Sequence, residues 1–413
     1  MSYHSKIKNI YKSFPKNIIK TPLEYNIRLS EYYGHNIYLK REDLQTTRSF
    51  KIRGAYNKIN NLNNRHNLQN NQIVCASAGN HAQGVAFTCN LLGIKGDIYV
   101  PLKTPLQKIN KIKYFGKDNI RIYLHGTNFN ESLNKAIEMS NNNAKFLIHP
   151  FDDDDIIEGH ATIGYEIYKD INPDIIVSCI GGGGLISGVS KYSKNINPEC
   201  KIIGTEPNGA DSMTHAIINN GPKLLKSVDN FVDGASVSLV GNKTYDITKK
   251  YVDKIYTVDN NKLCYNLIEF YQNEGIVLEP AGGLSVSCID TIVKNELKNI
   301  KKKHNIVCIL SGGNNDLTRY NEIMDKSLKY QDLIHYFIVD FPQKPGELKI
   351  FINNVLGKND DIIRFEYIKK SNINYGKVII GFQINKDKTI RNIEDKMLEL
   401  NFNFQKVDGT ILL

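Results

Sequence analysis

The sequence predicts an α/β protein with two open parallel sheets, followed by a C-terminal α+β domain of the ferredoxin-like type. Short apolar segments alternate with helix-length amphipathic segments between residues 73 and 150, and a second alternating set begins at residue 163. This alternation indicates βαβ units and a parallel sheet. Near residue 318 the pattern changes, and the elements beyond it follow a different order. The sequence therefore predicts one large α/β region and one smaller domain after it.

The composition is that of an ordinary soluble globular protein. The residues are 41% hydrophobic and 23% charged, as in ordinary globular proteins. The length of 413 residues is enough for two or three domains. No apolar window approaches the roughly eighteen residues of a membrane span, and the N-terminus lacks the apolar core of a secretory signal. Seven scattered cysteines without a Cys-x-x-Cys pair favour a reducing cytoplasm. The net charge of +10 comes from dispersed lysines, so we expect neither nucleic-acid nor membrane binding.

The elements of the large region are assigned from apolar runs and the turns between them. Residues 1–20 predict a short helix, and 36–43 a strand that ends in a charged turn. The first alternating set has strands at 73–76, 95–100, 120–124 and 145–149, with helices at 84–92, 104–114 and 128–141. The second set has strands at 174–180, 201–206, 254–258 and 306–310. Open parallel sheets bind ligands beyond the carboxyl ends of their strands, and three glycine-containing motifs directly follow such strands.

The C-terminal segment has its own order of elements after a polar stretch at 320–332. We predict a strand at 335–341, a turn at 342–346, a helix at 347–356, strands at 361–369 and 377–384, and a helix at 389–400. This βαββα order is the ferredoxin-like plan of small regulatory domains. The alternative is an independent module for stability or dimerisation. Phe341, Leu348 and Phe351 could form either a pocket for a branched side chain or the core of the domain.

Lys51 is the first candidate for chemistry. It lies between Phe50 and Ile52 at the start of a helical pattern. A lysine in apolar surroundings loses hydration, which lowers its pKa and frees the amine for Schiff-base formation. The alternative is a surface lysine at the edge of an amphipathic helix.

Four successive glycines, Gly181, Gly182, Gly183 and Gly184, follow the predicted strand 174–180 and precede a helix start at Leu185. Backbone N–H groups of such a loop converge on an anion, and the helix N-terminus adds partial positive charge. The spacing is not Gly-x-Gly-x-x-Gly and no Walker lysine follows, which excludes the usual dinucleotide and NTP sites. The alternative is a tight turn that needs glycine only for packing.

Residues 77–84 also join a strand to a helix. The small residues there let the backbone amides of 77–81 face a carboxylate, which makes Ser77, Ala78, Gly79, Asn80 and His81 a candidate substrate loop. The His81 side chain could be a base or a structural member of the loop.

Ser311 ends the predicted strand 306–310 and begins the motif 311–314. From the residues alone it could equally be a helix N-cap.

In this order, the four motifs resemble those of the fold-type II pyridoxal-phosphate (PLP) enzymes, and specifically the biosynthetic threonine dehydratases. The turn at 340–348 resembles the ACT-like domain of their short forms. The resemblance implies that PLP is the cofactor and that Lys51 is the catalytic lysine. It places the cofactor against Lys51, Phe50, Asn80, Gly181, Gly182, Gly183, Gly184, Leu185 and Ser311. A neutral serine at the pyridine nitrogen would favour elimination over transamination.

The resemblance also implies the reaction and the domain organisation. The expected reaction is dehydration and deamination of L-threonine to 2-oxobutanoate and ammonia, the first step toward isoleucine, in a homo-oligomer (dimer or tetramer). Isoleucine and valine are the expected effectors. We expect a catalytic domain over 1–325, with a smaller subdomain at about 42–150, and an ACT-like domain over 326–413.

L-Serine dehydratase and serine racemase of the same fold are the alternatives. The racemases have a serine as second proton donor where this chain has Ala78, so elimination is the better fit. Glu206 matches one ligand of their divalent-cation site, but the second acid is replaced by neutral Ser212, so we assign no metal. The sequence leaves open whether the protein binds a monovalent cation. Glu279 matches a family carboxylate near the cofactor.

Overall fold

The computed structural model describes residues 2–68, 73–142, 145–298, 302–358, 360–367, 374–385 and 390–407. The chain divides into two compact units, Met1–Leu317 and Thr318–Leu413. The first unit contains both parallel sheets, and the second contains an antiparallel sheet.

The strands follow in chain order. They are β1 Leu23–Tyr25, β2 Asn36–Arg41, β3 Ile73–Ala76, β4 Gly96–Val100, β5 Ile120–Leu124, β6 Phe146–Leu147, β7 Ile175–Cys179, β8 Lys201–Pro207, β9 Lys254–Val258, β10 Asn305–Leu310, β11 Ile334–Pro342, β12 Asp361–Tyr367, β13 Tyr375–Gln383 and β14 Asn403–Val407.

The α-helices lie between them. They are α1 Tyr3–Ser13, α2 Ile27–Tyr33, α3 Lys51–His66, α4 Asn80–Leu92, α5 Leu106–Gly116, α6 Phe129–Asn142, α7 Asp154–Asp170, α8 Gly184–Ile196, α9 Ser212–Ile218, α10 Asn242–Tyr251, α11 Asn260–Glu274, α12 Pro280–Gly283, α13 Ile289–Glu296, α14 Tyr320–Tyr330, α15 Glu347–Val355 and α16 Arg391–Glu399.

The first unit is built on two open sheets, which confirms the predicted fold class. The larger has the order β1-β2-β10-β7-β8-β9 and is parallel except for the edge strand β1. The smaller has the order β5-β4-β3-β6 and is parallel throughout. Every residue of β3 and of β7 is buried, as expected of parallel strands covered on both faces. Their continuous apolar runs made these strands easy to predict.

The second unit is a complete ferredoxin-like sheet with the order β12-β13-β11-β14, antiparallel throughout. It has one strand more than predicted, because β14 closes a βαββαβ unit. The predicted ends at Lys369 and Thr389 lie outside the described residues. The stretch expected to be merely polar forms helix α14, in which only Ile323 and Ser327 are buried. The helix is amphipathic, but the polar composition of the segment led to its interpretation as a polar connection.

Phe341 and Phe351 lie in the core of this second unit. Both are buried, and their ring centroids are 4.9 Å apart. Leu348 is 37% exposed. The two phenylalanines are therefore core residues, as one of the two alternatives had it.

Across the described part of the chain, no helix is both long enough and apolar enough to cross a membrane.

Candidate active site

Lys51 begins helix α3 directly beyond a loop that is bound to the end of β10. The Phe50 amide donates to the Ser311 carbonyl at 3.2 Å, and the Gly313 amide donates to the Arg48 carbonyl at 2.9 Å. The lysine is thereby placed next to Ser311 although the two are far apart in sequence. Its Nζ donates to the Pro150 carbonyl at 2.9 Å.

The surroundings of Lys51 disfavour its charged form. Burial lowers the pKa of the Lys51 amine to about 8, and the nearby Cys179 and Glu279 oppose this shift only in part. A neutral amine is therefore accessible near neutral pH, as the predicted role requires.

A fully buried ion network fixes helix α3 two residues beyond the lysine. Arg53 donates to Glu42 at 2.8 Å and to Glu166 at 2.7 Å, and Lys40 donates to Glu166 at 2.5 Å. All four side chains have no exposed surface. Two cations and two anions compensate one another, so the network forms a rigid support beneath the lysine.

The glycine loop connects β7 to the N-terminus of α8. Gly183 has φ +92°, a left-handed conformation that side chains rarely adopt, so glycine is required there. A Cβ on Gly182 would lie 2.2 Å from the Phe151 ring. These contacts support the packing interpretation of the glycines. It is compatible with anion binding, because the first amides of a helix have no intrahelical acceptor.

The predicted substrate loop runs from Ser77 into α4, which begins at Asn80 and not at the predicted residue 84. The Gly79 amide donates to Ser77 Oγ at 3.1 Å, which shapes the turn. The first amides of α4 thus lie at the cavity described below, where they can bind a carboxylate.

The surroundings of the His81 ring make it a poor general base. Its Nε2 lies 2.9 Å from the Ile148 carbonyl, which can only accept, so Nε2 carries the proton. Burial lowers the pKa of His81 to about 3. So weak a base is poorly matched to proton abstraction near neutral pH, which favours the structural reading of this residue.

Glu279 is a buried carboxyl that receives a hydrogen bond from Asn80 Nδ2 at 2.7 Å. Burial and the neighbouring Asp233 raise the pKa of Glu279 to about 7, against the effect of Asn80. A Cβ on Gly312 would lie 2.2 Å from Glu279 Oε1, so glycine is needed in the 311–314 motif for this close approach.

One cavity of about 320 Å³ brings all the predicted site residues together. Its lining includes Phe50, Lys51, Ser77, Ala78, Gly79, Asn80, His81, Gly181, Gly182, Gly183, Gly184, Leu185 and Ser311. It also includes residues to which no role was assigned from the sequence, among them Lys111, Cys179 and Asn314. Asn314 belongs to a motif that had been singled out, but Lys111 lies in an ordinary amphipathic helix and carries no sequence signal.

Glu206 lies elsewhere and serves the start of helix α9. Its carboxylate accepts hydrogen bonds from the amides of Met213 at 2.7 Å and Thr214 at 2.9 Å, and from Thr214 Oγ1 at 2.6 Å. Burial raises the pKa of Glu206 to about 7. Within the described ranges, no three His, Cys, Asp or Glu side chains are grouped to hold a metal ion.

One cavity contains a desolvated lysine and a glycine loop at a helix N-terminus. This combination is typical of enzymes that use pyridoxal phosphate. Residues 15–312 match the family described as pyridoxal-phosphate dependent enzyme. Residues 325–410 match the family described as the C-terminal regulatory domain of threonine dehydratase.

Relatives narrow the class. The biosynthetic L-threonine dehydratase of Halalkalibacterium halodurans is 44% identical over 95% of this chain and 93% of its own length. A solved structure, the processed form of threonine deaminase isoform 2 from Solanum lycopersicum, is 36% identical with a TM-score of 0.72, over 79% of this chain and 92% of its own. Maize serine racemase is 27% identical with a TM-score of 0.70, over 79% and 98%. The chain belongs to the biosynthetic L-threonine dehydratase family of pyridoxal-phosphate-dependent enzymes.

Proposed function

We propose that this chain catalyses the PLP-dependent dehydration and deamination of L-threonine, giving 2-oxobutanoate and ammonia as the first step of isoleucine biosynthesis. The observation that carries the proposal is the cavity in which the desolvated Lys51 amine meets the glycine loop, Asn80 and Ser311. The identity to biosynthetic threonine dehydratases over nearly the whole chain supports the choice of substrate.

The donor set of the cavity fits PLP part by part. The Lys51 amine would hold the aldehyde carbon, and the amides of Gly181–184 at the start of α8 would hold the phosphate. Asn80 would donate to the phenolic oxygen, and the Ser311 hydroxyl would face the pyridine nitrogen. When bound, the cofactor supplies an electron-withdrawing ring that acidifies the proton on the substrate Cα.

The residues of the chain supply binding, orientation and a base. The amides at the N-terminus of α4 bind the substrate carboxylate and fix the direction of the Cα–H bond. The Lys51 amine, with its pKa lowered to about 8, accepts the Cα proton. The β-hydroxyl leaves as water, and one water is taken up later when ammonia is released. The net change is therefore loss of ammonia alone.

The likeness to serine racemase raises a second function. Racemisation needs a second proton donor on the opposite face of the substrate. Ala78 lines the cavity and has no group that can donate. We therefore propose elimination and not racemisation, with L-serine as a competing substrate of the same site.

The C-terminal unit supports a proposal about regulation. Its match to a threonine dehydratase regulatory domain leads us to propose feedback inhibition by isoleucine, with valine as the second effector. We also propose a homo-oligomer, either dimer or tetramer. The seven buried free thiols are typical of a reducing compartment and support a cytoplasmic location.

A visible absorption spectrum of the purified protein with added PLP tests the proposal. A visible band that changes on addition of L-threonine, together with the formation of 2-oxobutanoate, is the expected result. Chiral analysis of the reaction with L-serine tests the second function, since D-serine would indicate racemisation. A protein that binds no PLP, or that binds it without forming 2-oxobutanoate, would refute the proposed function.

A further inference from the structure

The side-chain amide of Asn314 links its own segment to three others in the first unit. Its Oδ1 accepts from Lys111 Nζ of α5 at 3.1 Å. Its Nδ2 donates to the Thr47 carbonyl, ahead of the lysine, at 2.8 Å and to Asn80 Oδ1 of the substrate loop at 2.8 Å. A longer contact of 3.3 Å reaches Gln83 Oε1. Asn80 Nδ2 in turn donates to Glu279.

The Lys111 ammonium group and the Thr47 carbonyl together set the orientation of the Asn314 amide. An ammonium group has only donors, so the atom of Asn314 that faces Lys111 must be the oxygen. A backbone carbonyl has only lone pairs, so the atom that faces Thr47 must be the nitrogen. Turning the Asn314 amide over would place donor against donor and acceptor against acceptor. The orientation of Asn314 therefore follows from chemistry and does not rest on the assignment of nearly identical atoms.

The orientation of Asn80 follows from that of Asn314. Because Asn314 presents N–H groups, the facing atom of Asn80 must be its oxygen, and its NH2 group points the other way. One N–H of this group donates to Glu279 at 2.7 Å, and an amide nitrogen has a second. Asn80 thus offers a donor, and not a carbonyl, to a ligand in the cavity.

We propose that Asn314, oriented by Lys111 and the Thr47 carbonyl, is a positioning residue that makes Asn80 a donor to the phenolic oxygen of the cofactor. This inference rests on the proposed function and deepens it. Lys111 also lines the cavity, and its role in this proposal is to orient Asn314 through the hydrogen bond from Nζ to Oδ1. Lys111 lies on α5, between strands β4 and β5 of the smaller sheet, and Asn314 follows strand β10 of the larger sheet. The hydrogen bond between them therefore links the two sheet regions that line the cavity.

The principal test is Asn314→Asp in the full-length protein. The new carboxylate has only acceptors, and it would still satisfy Lys111. It would oppose the Thr47 carbonyl and Asn80 Oδ1, so Asn80 would have to turn its N–H groups toward it. The expected result is a PLP dissociation constant raised about ten- to a hundredfold, since one charge-assisted hydrogen bond is replaced by a repulsive contact. The visible band of the bound cofactor should also lose intensity or shift.

Lys111 provides a second, independent pair of variants. Lys111→Met removes the donor that orients Asn314 and should weaken PLP binding about threefold to tenfold. Lys111→Arg keeps a donor-only group and should restore the affinity and the band. Should Asn314→Asp fail to fold, judged by its thermal unfolding, this pair decides the question.

Asn315→Asp is the matched control, because it adds the same charge one residue along. Asn315 donates to the Leu278 carbonyl at 3.0 Å and not to Asn80. We expect it to change PLP affinity and spectrum less than Asn314→Asp does. Equal effects of the two variants would overturn the positioning role, as would wild-type affinity and spectrum in Asn314→Asp. If the wild type itself binds no PLP, the proposed function fails first, and the two failures are thereby distinguished.

Discussion

A single desolvated amine dominates the chemistry at the residue scale. Burial holds the pKa of Lys51 near 8, while the Pro150 carbonyl accepts from its Nζ. A neutral carbonyl orients the amine, whereas a carboxylate at the same place would stabilise the charged form of the lysine and raise its pKa. The site thus keeps the lysine both positioned and basic.

We expect Lys51→Ala to fold, to lose the visible band of the cofactor, and to lose threonine dehydration by roughly four orders of magnitude. The tether and the base are removed together, and each contributes roughly a hundredfold or more. The measurements are the absorption spectrum and the rate of 2-oxobutanoate formation. As a control, Lys58→Ala on the same helix, whose side chain pairs with Asp153, should keep the band. Near-normal turnover of Lys51→Ala would rule out the assigned role.

The raised pKa of Glu279 gives a second prediction at this scale, for stability against pH. Its pKa rises from 4.5 to about 7 in the folded protein. Its contribution to stability is therefore fully present below about pH 4.5 and is lost as the pH rises through about 7. Glu279→Gln keeps an oxygen for Asn80 but cannot ionise. Between pH 5 and 8 the wild type should lose on the order of 1–3 kcal/mol relative to this variant.

Urea unfolding at several pH values measures this difference. The same series on Glu131→Gln, which replaces an exposed carboxylate of α6, serves as the control. The difference in stability between the wild type and Glu131→Gln should stay constant between pH 5 and 8. Parallel pH profiles for the wild type and Glu279→Gln would contradict the raised pKa.

At the scale of elements, helix α3 depends on the ion network beneath it. Arg53→Met should destabilise the protein by about 3–5 kcal/mol, because it leaves two buried carboxylates with one cation. Thermal or urea unfolding measures the effect. The exposed pair of Lys20 and Asp170 provides the control, since Lys20→Met should cost less than about 1 kcal/mol. Similar costs for the two variants would mean that the buried network does not support the helix.

The same scale explains what the sequence could predict about the site. The motifs at Ser77, Gly181 and Ser311 follow strands β3, β7 and β10. Open parallel sheets bind ligands beyond the carboxyl ends of their strands, so the convergence of these three motifs was predictable. Lys111 joins them only because α5 packs beside α4 and brings its side chain to Asn314. No local pattern encodes that contact. Likewise, the start of α4 at Asn80 was missed because residues 80–83 are mostly polar or small.

At the scale of the whole molecule, the chain combines two units of different construction. The parallel βαβ units contain continuous apolar runs, whereas strand β11 of the small unit alternates buried and half-buried residues. Strand β14 was not predicted because three of its five residues are polar and exposed, and only Phe404 and Val407 are partly buried. Helix α14 belongs to this second unit, since Tyr336 of β11 donates to Asp325 at 2.8 Å. The domain boundary predicted after residue 325 falls inside that helix.

The last prediction concerns regulation and uses the division after Leu317. We expect a chain that ends at Leu317 to retain threonine dehydration and to lose its response to isoleucine. A cut at residue 330 would keep α14 without the strand that it contacts, so the earlier cut is the cleaner one. The measurement is a threonine saturation curve with and without isoleucine for both proteins. A coupling of about 1–3 kcal/mol would change the apparent threonine affinity of the full-length protein roughly 5- to 150-fold.

Valine provides the internal control for that experiment. A second branched effector should act on the full-length protein and should likewise have no effect on the shorter chain. An isoleucine response that survives the cut would assign the effector site to the catalytic unit. The absence of any response in the full-length protein would instead favour a role of the second unit in stability or dimerisation. In that case the shorter chain should differ from the full-length protein in its number of subunits, measured by light scattering, or in its unfolding midpoint. Its kinetics should be unchanged.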